Sequence, residues 1–185
     1  MHAMSLTRPH NNCYWLVPER LLAGEYPGSI LLSLADIRAR LQGIVDSGVR
    51  HFIDLTEDKD GLAPYAHMLP ALAVPAGESV QHEHWGLPDM SIPPSHERTR
   101  QILDRLDALH AASSPVYLHC WGGIGRTGLI AGCWLVRQGH TGEQALATIA
   151  QHWQTVAKRD RYPQSPQTAA QLRYVREWAK FDRAE

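Results

Sequence analysis

A ten-residue segment, His119-Cys120-Trp121-Gly122-Gly123-Ile124-Gly125-Arg126-Thr127-Gly128, restricts the folds open to this chain more than any other stretch. It takes over from the apolar run Val116 to His119, which has the length of a buried strand, and leads into a helical pattern that begins at Arg126. A strand that turns into a helix through glycines gathers the helix's first backbone N–H groups at one end of a sheet, where the helix dipole favours negative charge. The expected occupant of such a turn is an anion, and a phosphate fits it. The glycines at 122, 123 and 125 are expected to allow positive φ angles and a close backbone approach that a Cβ would obstruct. Arg126 offers a planar fork of donors to two oxygens of the same anion, a contact expected to strengthen as charge builds in a transition state.

Cys120 stands at the mouth of this turn. The helix start, the converging N–H groups and the guanidinium all favour thiolate over thiol, and a thiolate at neutral pH is a nucleophile. The alternative is a small buried hydrophobe, which most free cysteines are. An arginine six positions on and three loop glycines are not part of that pattern. The same segment, from Gly123 to Gly128, also matches the G-x-G-x-x-G dinucleotide fingerprint. A dinucleotide fold needs a second parallel strand ending in an acidic residue after the helix. Here Thr141 to Trp153 reads as another helix, with Glu143 near its capped start.

The remaining pattern alternates. Ser33 caps a helix with apolar positions Leu34, Ile37, Leu41, Ile44 and Val45, stopped by Gly48 and followed by a strand-like run from Val49 to Leu55. Tyr65 to Leu72 is expected to be helical, and Val80 to Trp85 a second strand-like run. Gly86, Pro88, Pro93 and Pro94 break the chain before Ser95 opens an amphipathic helix with Ile102, Leu103, Leu106 and Leu109 on one face, ended by Pro115. Beyond Arg126 the pattern is helical almost to the end, with Thr141 and Gln144 spaced as a capping box and Ser165-Pro166 starting the last helix. The prediction is a single α/β domain with a small central, mostly parallel sheet flanked by helices, the glycine-rich loop lying between the last strand and the following helix.

Composition narrows the function classes. With 44% hydrophobic and 20% charged residues, the chain can build one real core. A balance of 18 basic against 19 acidic residues creates no global field toward nucleic acid or an anionic membrane, so anion specificity has to be local. Met1 to Asn12 is polar, and the longest apolar stretch, Leu129 to Val136, is too short to span a bilayer. Three cysteines without framework spacing point to a reducing compartment. The expectation is a cytoplasmic protein with no membrane insertion and no nucleic-acid partner.

His119 to Gly128 resembles the active-site loop of the protein tyrosine and dual-specificity phosphatase superfamily: His-Cys, five residues, then Arg and Ser or Thr. The resemblance implies Cys120 as nucleophile, Arg126 as phosphate clamp, and the backbone of Trp121, Gly122, Gly123, Ile124 and Gly125 as phosphate cradle. It further implies Thr127 as the hydroxyl that hydrogen-bonds the cysteine sulfur and helps it leave, with His119 in a supporting role. Trp85-Gly86-Leu87-Pro88-Asp89 resembles the family's mobile acid loop, which makes Asp89 the general acid. A leaving oxygen needs a proton as the P–O bond breaks, and a carboxylic acid between a hinge glycine, Gly86, and stiffening prolines suits that task. Gln167-Thr168 followed by Gln171 resembles the corresponding region of kinase-associated phosphatases and compact bacterial enzymes, where a glutamine, here Gln167, helps place the hydrolytic water. The likeness runs from about Leu21 to the last helix. Residues 1–20 are expected to be an N-terminal extension or a first edge segment and residues 21–185 the catalytic domain.

The implied function is hydrolysis of phosphotyrosine, extending to phosphoserine and phosphothreonine, in a phosphorylated protein or peptide. Neither metal nor cofactor is called for. The alternatives are an inositol or phosphoinositide phosphatase, whose loops often carry basic residues absent from positions 121 to 125, and a non-catalytic phospho-binding module, which would lack the thiol, the arginine or the acid. A sulfur transferase or arsenate reductase also uses a thiolate in an anion loop, without accounting for the proline-rich aspartate loop. His82 and His84 alternate along a strand in a way that suits metal ligation, but no third ligand accompanies them. Trp134, Trp153 and Trp178 read as core, and Trp121 as a flank for a substrate ring. Cys133 reads as core, with an oxidative pairing to Cys120 as the alternative. Asp54, Glu57 and Asp58 follow an early strand and are expected to border the pocket, where like charges would repel a phosphoprotein with acidic flanks.

Overall fold

The computed structural model describes residues 7–29 and 31–182, so residues 1–6 of the N-terminal extension lie outside the described residues. In chain order the regular elements are β1 (Cys13–Val17), β2 (Leu21–Gly24), α1 (Leu34–Asp46), β3 (His51–Asp54), β4 (Gln81–His84), α2 (His96–Ala111), β5 (Val116–His119), α3 (Gly125–Arg137), α4 (Gly142–Trp153) and α5 (Ala169–Glu177). Short 3₁₀ turns occupy Asp58–Asp60, Ala66–Ala71, Ala157–Asp160 and Trp178–Lys180.

The strands form one five-stranded sheet in the order β1-β2-β5-β3-β4. Only the β1–β2 pair is antiparallel; β5 runs parallel to both neighbours and so occupies the centre. The mostly parallel sheet therefore agrees with expectation, and its antiparallel pair, Cys13–Val17 at one edge and Leu21–Gly24 between it and β5, comprises the strands the hydrophobic pattern did not single out. Pairing sets Gly24 and Asp54 on either side of His119, the last residue of β5. Cys120 thus leaves the sheet at the carboxyl edge of its central strand, where open parallel sheets place their ligands.

Both faces of the sheet are covered, as parallel strands require. Val116 and Leu118 of β5, with Ile53 of β3, join a core built with α2, α3, α4 and α5. Tyr117 of β5 and Phe52 of β3 point to the other face, where Leu41, Ile44 and Val45 of α1 and Tyr65 and Leu69 meet them. Every residue from Gly125 to Val136 is buried, which makes α3 the central helix and explains its lack of a polar stripe. Cys133, Trp134, Trp153 and Trp178 are core residues, as read from their helical spacing.

Local signals account for several boundaries. Ser33 accepts from Asp36 N and completes a capping box, Ser95 accepts from Arg98 N, and Thr141 with Gln144 forms the expected box on α4. Two expectations need correction. The segment after Tyr65 is 3₁₀, with Pro70 inside it removing a donor that an α-helix would use. The last helix starts at Thr168, whose side chain accepts from Gln171 N while Gln171 caps in return; Ser165 and Pro166 precede it in a loop joined by a cis peptide bond. Among the described residues no helix is long and apolar enough to cross a membrane.

Candidate active site

The loop after β5 is organised by where its carbonyl groups go. Cys120 O faces His119 Nδ1 at 3.2 Å, Trp121 O accepts from Tyr26 N at 2.9 Å, Gly122 O from Lys158 Nζ at 2.9 Å, and Ile124 O from Ser165 Oγ at 2.8 Å. With these oxygens engaged by surrounding protein, the loop's amide groups are left for the other side. The N-cap of α3 is Ile124, which has no side-chain acceptor to offer the first turn of that helix. An uncapped helix start at the end of a parallel strand is a site for an anion.

The glycines divide the work differently from the expectation. Gly123 alone of the three has a positive φ, +71°, and a Cβ there would sit 2.5 Å from the Gly24 carbonyl carbon. Gly125 has ordinary helical backbone; it is small because the Gln171 amide packs against it, where a Cβ would lie 2.9 Å from Nε2. Positive φ at 122 and 125 is therefore not part of the loop. Gly86 is likewise not left-handed, and a Cβ on it would approach Thr56 O to 3.1 Å, so close packing accounts for it.

Arg126, in the first turn of α3, is buried, and its Nη1 donates to Asp60 Oδ2 at 2.6 Å and to Leu87 O at 3.1 Å. Nη2 lies 3.0 Å from Asp89 Oδ1 as a charge contact, and neither Nε nor Nη2 has an aligned acceptor among the described residues. One edge of the guanidinium is thus held by protein and the other is left open. The hydroxyl of Thr127, fully buried, also has no partner among the described residues.

Asp89 reaches this group from the loop between β4 and α2. Leu87 anchors that loop: its N–H donates to Leu55 O, its carbonyl accepts from Arg126, and its side chain is buried in the core. On the far side Gln171 Nε2 donates to Ser91 O at 3.0 Å. Between these anchors Met90 takes a left-handed φ of +55°, uncommon without glycine. Gln167 helps line a cavity of about 560 Å³ together with Asp89, Gly122 and Ile124, its backbone N–H bound to Gln171 Oε1.

Behind the loop, His119 is buried with Nε2 2.6 Å from the Tyr65 hydroxyl. If Nδ1 donates to Cys120 O, Nε2 accepts from Tyr65, and one neutral tautomer satisfies both contacts. Burial pushes the His119 ring down from its ordinary value, against an opposing pull from Asp54. Burial pushes the Asp54 carboxyl up, but His119 and hydrogen bonds from His82 and Thr56 outweigh it and hold the group below the usual carboxylate range. His82 faces Asp54 and His84 faces Thr56 O, and among the described residues no cluster of three or more His, Cys, Asp or Glu side chains is arranged for a metal. All three cysteines are free and buried, and burial pushes the Cys133 thiol well up. Glu57 and Asp58 border a separate cavity of about 230 Å³ with Asp54, Tyr65 and His82.

The structure brings Cys120, Arg126, Asp89 and Thr127 to one place around the loop. It adds three side chains that the sequence reading did not assign: Asp60 on Arg126, Tyr65 on His119, and Lys158 on Gly122 O. Asp60 had a visible signal. It closes the acidic run Glu57-Asp58-Lys59-Asp60 after a strand parallel to β5, and a buried arginine needs a counter-charge.

A protein-family model described as Tc-R-P, polymorphic toxin system, DSP-PTPase phosphatase matches residues 29–140. That span contains both the Asp89 loop and the loop from His119 to Gly128. Among solved structures, kinase associated phosphatase aligns with a TM-score of 0.67 at 19% identity, covering 98% of this chain and 99% of that chain. Tk-PTP in its active form gives 0.65 at 20% identity, covering 91% and 97%. PTPMT1 in complex with PI(5)P gives 0.61 at 19% identity, covering 88% and 91%. At these identities the likeness is one of fold.

Proposed function

This chain belongs to the DSP-PTPase phosphatase family of polymorphic toxin systems, and within it we propose that it is a protein phosphatase that hydrolyses phosphotyrosine through a cysteinyl-phosphate intermediate. The observation that carries the proposal is the open edge of Arg126 beside an uncapped helix start, in a loop whose carbonyls at Cys120, Trp121, Gly122 and Ile124 are engaged elsewhere. That combination supports a tetrahedral oxyanion above Cys120.

In the first step the phosphate takes the amide groups of residues 121 to 126 and the Nε and Nη2 donors of Arg126, which releases Asp89 from its charge contact. The Cys120 thiolate attacks phosphorus in line, the P–O bond to the leaving group breaks, and protonated Asp89 gives its proton to the departing oxygen. In the second step Asp89, now a carboxylate, takes a proton from water as the water oxygen attacks phosphorus. The S–P bond breaks, and the Thr127 hydroxyl donates to the sulfur as it leaves. Inorganic phosphate is released, and the Cys120 thiolate and the protonated Asp89 are regenerated. Asp60 fixes Arg126 from the opposite edge, and Tyr65 and His119 fix the Cys120 carbonyl. Gln167, in the lining of the same cavity, orients the water of the second step. A reaction that needs a free thiol supports a reducing, cytoplasmic setting.

A second reading, a phosphoinositide or inositol phosphate as substrate, is weakened because Arg40 and Lys158, the cations lining the same cavity, are both paired with Glu25. A non-catalytic phospho-binding role is not supported by a site that keeps thiol, arginine and acid together. The test is hydrolysis of a small aryl phosphate in EDTA by reduced protein. Turnover is expected in the native chain, loss of at least 10³-fold is expected in Cys120→Ser, and about 10²-fold in Asp89→Asn, as for removal of a nucleophile and a general acid. No turnover by the native protein would leave the binding-module reading standing.

A further inference from the structure

Resting on the phosphatase reading, we infer that the site selects phosphotyrosine carried in a peptide with an apolar side chain beside it, received on a rim formed by Leu31, Met90 and Trp121. The phosphate loop opens into a cavity of about 560 Å³ whose lining includes Asp89, Gly122 and Ile124. A cavity of that size holds a drug-sized body, more than one phosphorylated ring. What lines the additional space decides what it takes.

Large hydrophobic side chains left exposed among the described residues are Leu31, Leu34, Met90, Ile92 and Trp121. Leu31 at 89% exposure, Met90 at 53% and Trp121 at 52% all line this one cavity. Tyr26, Leu62 and Tyr162 line it as well. Scattered exposed hydrophobics are ordinary, but a cluster continuous with a reactive centre marks a contact surface. Two rim residues are also chain neighbours of the chemistry: Trp121 follows Cys120 and Met90 follows Asp89. A side chain seated on the rim therefore lies next to the group that is dephosphorylated.

Charge at the mouth argues against a polyanion. The cations in the lining, Arg40 and Lys158, are both bound to Glu25, Arg40 Nη1 at 3.0 Å and Lys158 Nζ at 2.5 Å, and Lys158 is further occupied by Gly122 O. Glu25 is ionised in this arrangement, since Lys158 and Asn12 outweigh the burial that pushes its carboxyl up. Asp89, the other acid in the lining, faces Arg126 and not these cations. With both cations held by Glu25, neither is left for a second phosphate group or for an anionic lipid surface, whereas an apolar flank needs none.

Matched phosphotyrosine peptides with leucine or with glutamate on both sides of the tyrosine test this, with phenyl phosphate as a control for the chemistry. Native protein is expected to favour the leucine peptide by about tenfold or more in kcat/KM, the scale of one partly buried leucine side chain. Leu31→Gln, at a position exposed enough not to disturb folding, is expected to erase most of that preference while phenyl phosphate turnover stays unchanged. Equal use of the two peptides by native protein, or a preference untouched in Leu31→Gln, overturns the rim. Faster hydrolysis of phosphatidylinositol 5-phosphate in phosphatidylcholine vesicles than of the better peptide overturns the peptide as occupant. Absence of phenyl phosphate turnover is the separate result that overturns the phosphatase reading itself.

Discussion

Arg126 Nη1 and Asp60 Oδ2 lie 2.6 Å apart, with the two side chains 1% and 5% exposed. A buried pair of this kind contributes little net stability but is costly to break from one side. Its consequence here is orientation: with Nη1 committed to Asp60 and Leu87 O, the Nε and Nη2 edge is the one left to a ligand.

Asp60→Asn is therefore expected to lower kcat/KM for an aryl phosphate by about 10- to 100-fold, the scale of a misplaced catalytic contact. Inhibition by inorganic phosphate should weaken in parallel, because both read the same guanidinium edge. Alkylation of Cys120 by iodoacetamide should proceed as in native protein. Steady-state kinetics with unchanged kcat/KM and phosphate affinity would remove Asp60 from the positioning role.

Thr127 has a buried hydroxyl with no partner among the described residues, so its removal breaks no existing bond. Thr127→Ala should fold with near-native stability and still transfer phosphate to Cys120. Loss of the donor to the departing sulfur should slow the second step by roughly 10- to 100-fold, a typical contribution of one positioned donor. Stopped-flow assay of the released phenol should then show a burst approaching one equivalent per enzyme followed by slow turnover. A slow single phase without a burst would place the effect on the first step.

Gly123 and Gly125 should respond unequally to alanine. At Gly123 the substitution meets both a left-handed φ and the backbone of Gly24 at 2.5 Å, neither of which can move without disrupting the β2–β5 pairing. Loss of at least 100-fold in activity and a melting temperature lower by several degrees are expected, the scale of about 2 kcal/mol of strain. At Gly125 the obstacle is the Gln171 amide end, a side chain that can shift. Gly125→Ala should retain most of its stability and lose activity through displacement of the Asp89 loop, which Gln171 holds at Ser91 O. Comparison of thermal melts and kcat for the two variants separates them.

Stability should fall in mild acid through His10. Burial, followed by the Arg40 charge, pushes its ring down to about 4, and its Nε2 lies 3.0 Å from the Tyr117 hydroxyl. The unfolded chain, with an ordinary histidine near 6.5, binds more protons than the folded one between these values, so stability is complete above about pH 6.5 and falls as pH drops toward 4. The loss is at most about 3 kcal/mol for a shift of this size and less with partial solvent access. Urea midpoints at pH 7 and pH 4.5 should differ more for native protein than for His10→Gln. Equal differences would assign the acid sensitivity elsewhere. The depressed Asp54 contributes its full stabilisation above about pH 4 and loses it only as pH falls beneath the ordinary carboxylate value, so it does not account for a loss between pH 7 and pH 4.5.

The legible parts of this protein are those whose cause lies within a few residues. Ser33, Ser95 and Thr141 cap helices through side chains that reach three residues ahead, so spacing alone predicts them. The loop from His119 to Gly128 is contiguous, and its thiol, glycines and arginine point to an anion before any fold is known. Where a local signal meets a tertiary one, spacing does not choose. Ser165-Pro166 reads as the start of the last helix, but the helix begins at Thr168 through a capping box with Gln171, a side chain simultaneously engaged with Ser91 and Gly125. The β1–β2 hairpin left little trace because both faces of these short strands are buried, which removes the alternation that marks a half-exposed strand.

From the sequence alone come the strand-loop-helix unit, the mostly parallel α/β class and the set Cys120, Arg126, Thr127 and Asp89, because each rests on local hydrogen-bonding geometry or on a contiguous pattern. Tertiary structure alone decides which edge of Arg126 stays open, which glycine needs its freedom, and what surrounds the mouth. Those outcomes depend on Asp60, Gln171, Glu25 and Lys158, residues brought together across 66 positions in the Arg126–Asp60 pair and 133 in the Lys158–Glu25 pair. Contacts at such separations arise from the order of strands in the sheet and the packing of helices on it, and no periodicity or cap along the chain encodes them.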